Sequence, residues 1–373
     1  MTDKTGDNDA PGTPAVPRVS NTRAIGTVGQ GLITDAAIPK SRVRAWALWD
    51  WGSAAFNAVV TTFVFSTYLA SGLFIDPEIV AAAGDDEKNP ALVLAKAGNT
   101  TVISGALTIA GILVAILAPI LGQRSDGSGR RKLWLAINTG LVVLAMGAMF
   151  FVEPIPSYIY LGAALLAAGN IFFEFASVNY NAMLVQVSTP ATVGRVSGFG
   201  WGMGYIGGIV LLIILLVLFI QNFGSDTGNG LLNVPFGTEG GALDIRFAVL
   251  ASAAWFAIFA IPVLIAVPEI PAGARENRVN FFASYLKLFR TIASLAKKSP
   301  QVLMFLLASA VFRDGLAAVF TFGAIIAAQV FGFSPSEVIY FAVAANLVAG
   351  IGTFIGGWLD DRLGAKNVII GSL

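Results

Sequence analysis

Long apolar stretches separated by short polar breaks dominate the chain from residue 46 onward. The pattern predicts apolar helices over Trp46–Phe74, Gly98–Leu121, Leu133–Val152, Tyr158–Val187, Val196–Ile220, Phe247–Val267, Val302–Val330 and Val338–Leu359, with a ninth run opening at Val368. Each of the eight is long enough to cross roughly 30 Å of hydrocarbon as a helix. The ten-residue alternation of a membrane barrel strand is not seen. Residues 1–44 are polar up to position 40, rich in Gly, Pro, Thr and Asp, and predict a disordered cytoplasmic tail without a signal-peptide core. Residues 268–300 break the series. Within them Phe281, Phe282, Tyr285, Leu286, Phe289, Ile292 and Leu295 recur at helical spacing opposite basic residues, the pattern of an amphipathic helix lying on a membrane surface. The expected organisation is therefore the tail, a six-helix lobe over 45–267, a cytoplasmic linker over 268–300 and a partial second lobe over 301–373.

Composition sharpens this picture. Hydrophobic residues make up 56% of the 373 and charged residues 12%, too few charges to cover a water-soluble protein of this size. Mean hydropathy is +0.76. The expected class is an all-α polytopic membrane protein with the lipid bilayer as solvent. A net charge of +1 supplies no field for nucleic acid. The absence of cysteine and histidine excludes disulfides, thiolate metal sites and histidine-based triads. No metal and no cofactor are expected, and any proton chemistry must run on Asp, Glu, Lys, Tyr or Arg.

The basic residues orient the chain. With the N-terminus inside, the inner breaks hold Lys40, Arg42, Arg44, Arg124, Arg130, Arg131, Lys132, Arg195, Arg275, Arg278, Lys287, Arg290, Lys297, Lys298, Arg362 and Lys366. The outer breaks hold only Lys88, Lys96 and Arg246. That bias predicts a cytoplasmic N-terminus.

Polar side chains inside apolar helices are costly and mark candidate sites. Asp50, Ala54, Asn57 and Thr61 step by four, three and four along the first run, as one stripe of an α-helix would. The alternative for Asp50 is an interfacial carboxylate in an aromatic belt between Trp49 and Trp51. Asn170, Glu174, Ser177 and Asn181 repeat the same steps in the fourth run. They could be hydrogen-bonding glue between helices, or a cavity face on which Glu174 binds and releases a proton. Arg313 and Asp314 are adjacent opposite charges deep in the seventh run. Arg313 suits either a salt link to a carboxylate on another helix, Glu174 or Asp50, or a clamp on a substrate carboxylate. Gly198, Gly200, Gly202, Gly204, Gly207 and Gly208 form a small-residue stripe in the fifth run, expected to serve packing.

Two breaks repeat each other. Gly122, Asp126, Gly129 and Arg131 in the first match Gly357, Asp361, Gly364 and Lys366 in the second, six runs later. Arg130 and Arg362 add charge to them. A weaker echo pairs Asn57, Phe63 and Phe65 with Asp314, Phe320 and Phe322.

These breaks resemble the signature loop of the Major Facilitator Superfamily. The opening Trp46-Ala-Leu-Trp49-Asp50-Trp51-Gly-Ser-Ala-Ala-Phe56-Asn57 resembles that of its vacuole-effluxer-like branch, whose eukaryotic members are autophagy-related amino-acid exporters. Arg195-Val-Ser-Gly-Phe-Gly-Trp201-Gly-Met-Gly-Tyr205 and Phe312-Arg313-Asp314-Gly315 are similar to further elements of that branch. The resemblance implies a major-facilitator-type fold of two six-helix lobes, here with the second incomplete because the chain stops in the ninth run. It implies a monomeric secondary transporter of the plasma membrane moving a small-molecule substrate, an amino acid or related metabolite, by alternating access, outward and with proton coupling. It also implies that Asp361 clasps the start of the fifth helix near Arg195 as a gate, while the counterpart of Asp126 lies in a missing helix. Three rivals stay open: a non-transporting sensor or assembly subunit, an inactive truncated transporter, and a membrane enzyme, for which no nucleophile or metal constellation is found.

Overall fold

A computed structural model describes residues 38–84, 86, 88–220, 231–232, 234, 241–269, 281–329 and 335–372. The described residues form helices joined by short turns, without strands. The long helices are α1 (Lys40–Ala70), α2 (Pro90–Ser128), α3 (Arg131–Met149), α4 (Ile159–Ala182), α5 (Val193–Leu215) and α6 (Leu243–Ala266). They are followed by α7 (Phe281–Lys298), α8 (Pro300–Gln329), α9 (Pro335–Leu363) and α10 (Ala365–Ser372).

Several helices outrun their apolar cores, because polar end turns extend a helix without extending its hydrophobic run. α1 begins at Lys40, directly after Pro39, six residues before the first tryptophan. α2 begins at Pro90, where the Asn89 side chain accepts hydrogen bonds from the amides of Ala91 and Leu92 at 3.0 and 3.5 Å. Pro at the first position and Asn before it make a well-formed helix start. The two repeated breaks are also largely helical. α2 continues through Ser128 and α9 through Leu363, and each ends on a glycine with left-handed backbone, Gly129 at φ 61° and Gly364 at φ 82°. Both are C′ glycines that stop a helix where a side chain would strain it. Their shared conformation is the structural content of the repeat. α10 opens at Ala365, three residues earlier than Val368.

Among the first six helices, α1 lies between α5 and α6, α3 packs on α4 and α6, and α2 packs on α4. α5 in turn packs along α9. Trp49, Phe56, Leu135, Met146, Leu166 and Phe256 are fully enclosed. Leu144, Tyr160, Ile265 and Val311 point outward and are largely exposed. An apolar exterior over a hydrogen-bonded helical backbone suits lipid and not water. Six described helices are long and apolar enough to span a membrane, or seven if α7 and the first part of α8, bent by 118° at their junction, count as one. α9, which carries the eighth expected run, is 29 residues long. The protein is an all-α, multi-pass membrane protein.

Candidate functional site

The glycines of α5 serve two faces. Gly194, Gly198 and Gly202, four apart, meet α9. A Cβ on Gly198 would lie 2.3 Å from the Thr353 carbonyl oxygen, and one on Gly202 2.5 Å from the Phe354 ring. Gly357 on α9 answers them, since its Cβ would lie 2.5 Å from the Gly194 carbonyl oxygen. Gly200, Gly204 and Gly207 meet α1 instead, with Trp46, Asp50 and Trp51 as neighbours. Without side chains at these positions both partners approach α5 at backbone distance.

The α5–α9 seam ends in a carboxylate. Asp361 accepts hydrogen bonds from the backbone N–H of Gly194 at 2.9 Å and of Arg195 at 3.1 Å, and from Arg195 Nε at 3.2 Å. The Asp361 side chain is only 6% exposed, and Arg195 remains 60% exposed. Amides in the first turn of α5 have no intrahelical acceptor, and the positive end of the helix favours an anion there. The amides engaged are those of 194 and 195, in the first turn of α5, which starts at Val193. Beside this contact the Arg362 guanidinium stacks 4.0 Å over the Trp358 ring. Lys366 is exposed.

The first copy is built differently. Among the described residues Gly122 has only Val178 nearby, at 3.7 Å from an added Cβ. Arg131 Nη1 donates to the Ala182 carbonyl at 3.1 Å, binding the last residue of α4, and the Lys132 amide donates to Glu269 at 3.1 Å. Arg130 precedes α3 and is exposed. Asp126 sits on α2, with its side chain outside the described ones.

On α1 the expected stripe is interrupted. Asp50 is half-buried and accepts from Ser53 Oγ at 3.3 Å. Beyond it, Ala55–Phe63 is π-helical. The wider i→i+5 turn breaks the α period, so Ala54 is buried while Asn57 is exposed. Hydroxyls cover the carbonyls of the altered ladder: Thr61 and Thr62 donate to Asn57 O at 2.6 and 2.8 Å, and Ser66 to Thr61 O at 2.9 Å. The wide turn follows from the backbone ladder and carries no sequence signature, although wide turns recur at functional sites. The tryptophans beside Asp50 point into protein. Trp46 and Trp49 both stack on Tyr180 of α4, at 4.5 and 4.3 Å, and Trp49 Nε1 donates to Thr139 at 3.1 Å. This excludes a belt at the lipid surface for Trp49. Tyr180 and Tyr205 lie within electrostatic reach of Asp50, and among the described residues the buried Tyr180 hydroxyl has no hydrogen-bond partner. Tyr180, one residue before the end of the polar stripe on α4, belongs beside the residues singled out from sequence.

On α4, Asn170 and Ser177 are half-buried, and Glu174 and Asn181 are exposed. Asn181 donates to Ser177 O at 2.9 Å and Ser177 Oγ at 3.2 Å, which ties the stripe's lower end to itself. Glu174 is left free of that network. Arg313, midway along α8 and also exposed, is the charge that acts on it at a distance. The two are within electrostatic range and are not in direct contact. Asp314 follows on α8, with its side chain outside the described ones. Among the described residues no three acidic side chains converge to hold a metal ion.

The model of a family described as "Vacuole effluxer Atg22 like" matches residues 185–373, just over half of the chain. The chain belongs to the Atg22-like family. Similar proteins widen the frame. An uncharacterised MFS-type transporter, YxiO of Bacillus subtilis, is 25% identical over 331 residues, spanning 87% of this chain and 69% of that protein. The probable nitrate/nitrite transporter NarK2 of Mycobacterium tuberculosis is 26% identical over 268 residues, 70% of this chain and 58% of NarK2. Autophagy-related protein 22-2 of Aspergillus clavatus is 24% identical over 188 residues, 47% of this chain and 28% of that protein. The fold is that of the MFS proton:xylose symporter XylE, at a TM-score of 0.57, 12% identity, and coverage of 88% of this chain and 70% of XylE. The Atg22-like chain is thus of the major facilitator type.

Proposed function

We propose that the chain is the solute-moving part of a secondary transporter that exports an amino acid or related metabolite by alternating access, with proton coupling through Glu174. α1–α6 act as one lobe and α8 and α9 as the beginning of the second, joined by the 268–300 linker. The reading places the N-terminus in the cytoplasm and the protein in the plasma membrane. The observation that carries it is the pair of opposite charges Glu174 and Arg313, both exposed and within electrostatic range of each other. Opposite charges on accessible faces of two different parts of a membrane bundle are positioned for a zwitterion or for a proton exchange between states. The Asp361 contact supports a cytoplasmic latch, since a carboxylate held by two helix-start amides and one exposed guanidinium is released as a unit when α5 and α9 part.

Flux in proteoliposomes tests the proposal. Wild type should move labelled amino acids in response to an imposed pH gradient. Glu174→Gln should abolish the pH-driven component and keep part of the exchange. Proton dependence unchanged in that variant removes Glu174 from the mechanism. A second reading, a small-anion transporter, is favoured by the exposed Arg313 and by the relative named for nitrate and nitrite. Nitrate flux lost in Arg313→Gln, without any amino-acid flux in wild type, selects it.

A further inference from the structure

α7 is held at one end and open along one side. Its N-terminal turn docks on α2: the Ser284 carbonyl accepts from Gln123 Nε2 at 3.5 Å, and the Tyr285 hydroxyl donates to the Ile116 carbonyl. Ser284 is buried. From there α7 runs to Lys298, and at Ser299 the chain turns by 118° into α8. Leu286, Phe289 and Ile292 are left exposed. Beside them lies an open, shallow face of the same helix, lined by Leu286, Lys287, Arg290, Ser294, Leu295 and Lys298. At 100° per residue Arg290, Ser294, Lys287 and Lys298 share one flank, and Leu286, Phe289 and Ile292 the adjoining one. Arg290 and Lys298 are about 12 Å apart along the axis, at 1.5 Å per residue.

Cations and hydroxyls along the edge of an exposed apolar stripe, at the foot of a membrane-spanning helix, match the two chemistries of an anionic phospholipid: a phosphate head and acyl chains. We propose that this basic face of α7 binds the head group of an anionic phospholipid. Arg290 and Lys298 contact the phosphate, and Leu286 and Leu295 flank the glycerol and upper chains. Because α7 is anchored beside Gln123 and leads into α8, a bound lipid fixes the linker relative to both.

Titration of the detergent-purified full chain with dioctanoyl-phosphatidylglycerol, dioctanoyl-phosphatidylcholine and inorganic phosphate tests this. Phosphatidylglycerol should bind at least about tenfold more tightly than phosphatidylcholine. Arg290→Gln with Lys298→Gln should weaken phosphatidylglycerol roughly thirtyfold, from about 1 kcal/mol per basic residue near a lipid surface and about 1.4 kcal/mol per tenfold. The same double variant should leave phosphatidylcholine unchanged. Lys40→Gln, an exposed cytoplasmic-end charge on α1, should change neither. Equal affinity for the two lipids overturns the proposal, as does a double variant that binds like wild type. Full competition by inorganic phosphate at equal concentration also overturns it, because the face is then a free-anion site.

Discussion

The two copies of the repeated segment, 122–132 and 357–366, share a backbone and differ in what they hold. Both end a long helix on a left-handed glycine. In the second copy, Gly357 touches α5 backbone to backbone and Asp361 is bound by two amides and a guanidinium. In the first, Gly122 has ordinary space, and among the described residues the bonds that leave the segment run from Gln123 to α7, from Arg131 to the end of α4 and from Lys132 to Glu269. The helix stop is thus intrinsic to the motif. The grip depends on the neighbouring helix that supplies free amides and room.

The largest separation of the two copies is expected from their first glycines. Gly357→Ala pushes a methyl into the α5 backbone, which cannot swing aside, and should cost about 3 kcal/mol. Gly122→Ala meets only Val178 in a helical position and should stabilise by about 0.5–1 kcal/mol. Thermal unfolding of the two variants should therefore move in opposite directions; shifts of the same sign would dissolve the distinction. Next comes Asp361→Asn, which keeps the shape and removes the charge at the helix start, at about 1.5–3 kcal/mol. The chain has no native cysteine, so a single cysteine at Thr353 reports on the seam. Its alkylation should speed up roughly tenfold or more in the variant, the factor for 1.4 kcal/mol, and an unchanged rate would show that the carboxylate does not hold the seam shut.

Gly129→Ala and Gly364→Ala probe what the copies share. Each should lose about 1–2 kcal/mol from forcing a side chain into the left-handed region, and clearly unequal losses would mean that the stop is not intrinsic. The smallest effects belong to the outer cations. Arg131→Gln, which releases the Ala182 carbonyl, should cost about 1 kcal/mol, and Arg362→Gln, which unstacks an exposed indole, about 0.5 kcal/mol. Unfolding temperatures in that order support the assignment of each cation to its contact.

Much of this was legible in the sequence because it rests on spacing. The apolar runs and the paired glycines follow from residue type at a fixed interval, and the Asp361–Arg195 encounter from the resemblance of the repeated breaks to a known signature loop. What spacing does not encode was missed. The π-helical Ala55–Phe63 depends on which carbonyl each amide chooses, and no side-chain pattern announces it. The glycines of α5 divide between α1 and α9 because two helices flank them, information that lies in the partners. Trp49 and Trp51 flank Asp50 like an interfacial belt, yet Trp49 stacks on Tyr180 and Trp51 on Trp255, 131 and 204 positions away.

The wide-turned stretch of α1 also changes how the chain tolerates editing. Each i→i+5 bond takes up one residue more than an i→i+4 bond, so the stretch stores surplus length. Deleting one residue within 55–63 returns that length and leaves Phe65, Tyr68 and Leu69 aimed at their present neighbours. The same deletion within 40–54 has no surplus to draw on, and turns everything on one side of the cut by about 100°. In a helix packed on both flanks, α1 therefore has one place where its register can be reset without unscrewing the rest.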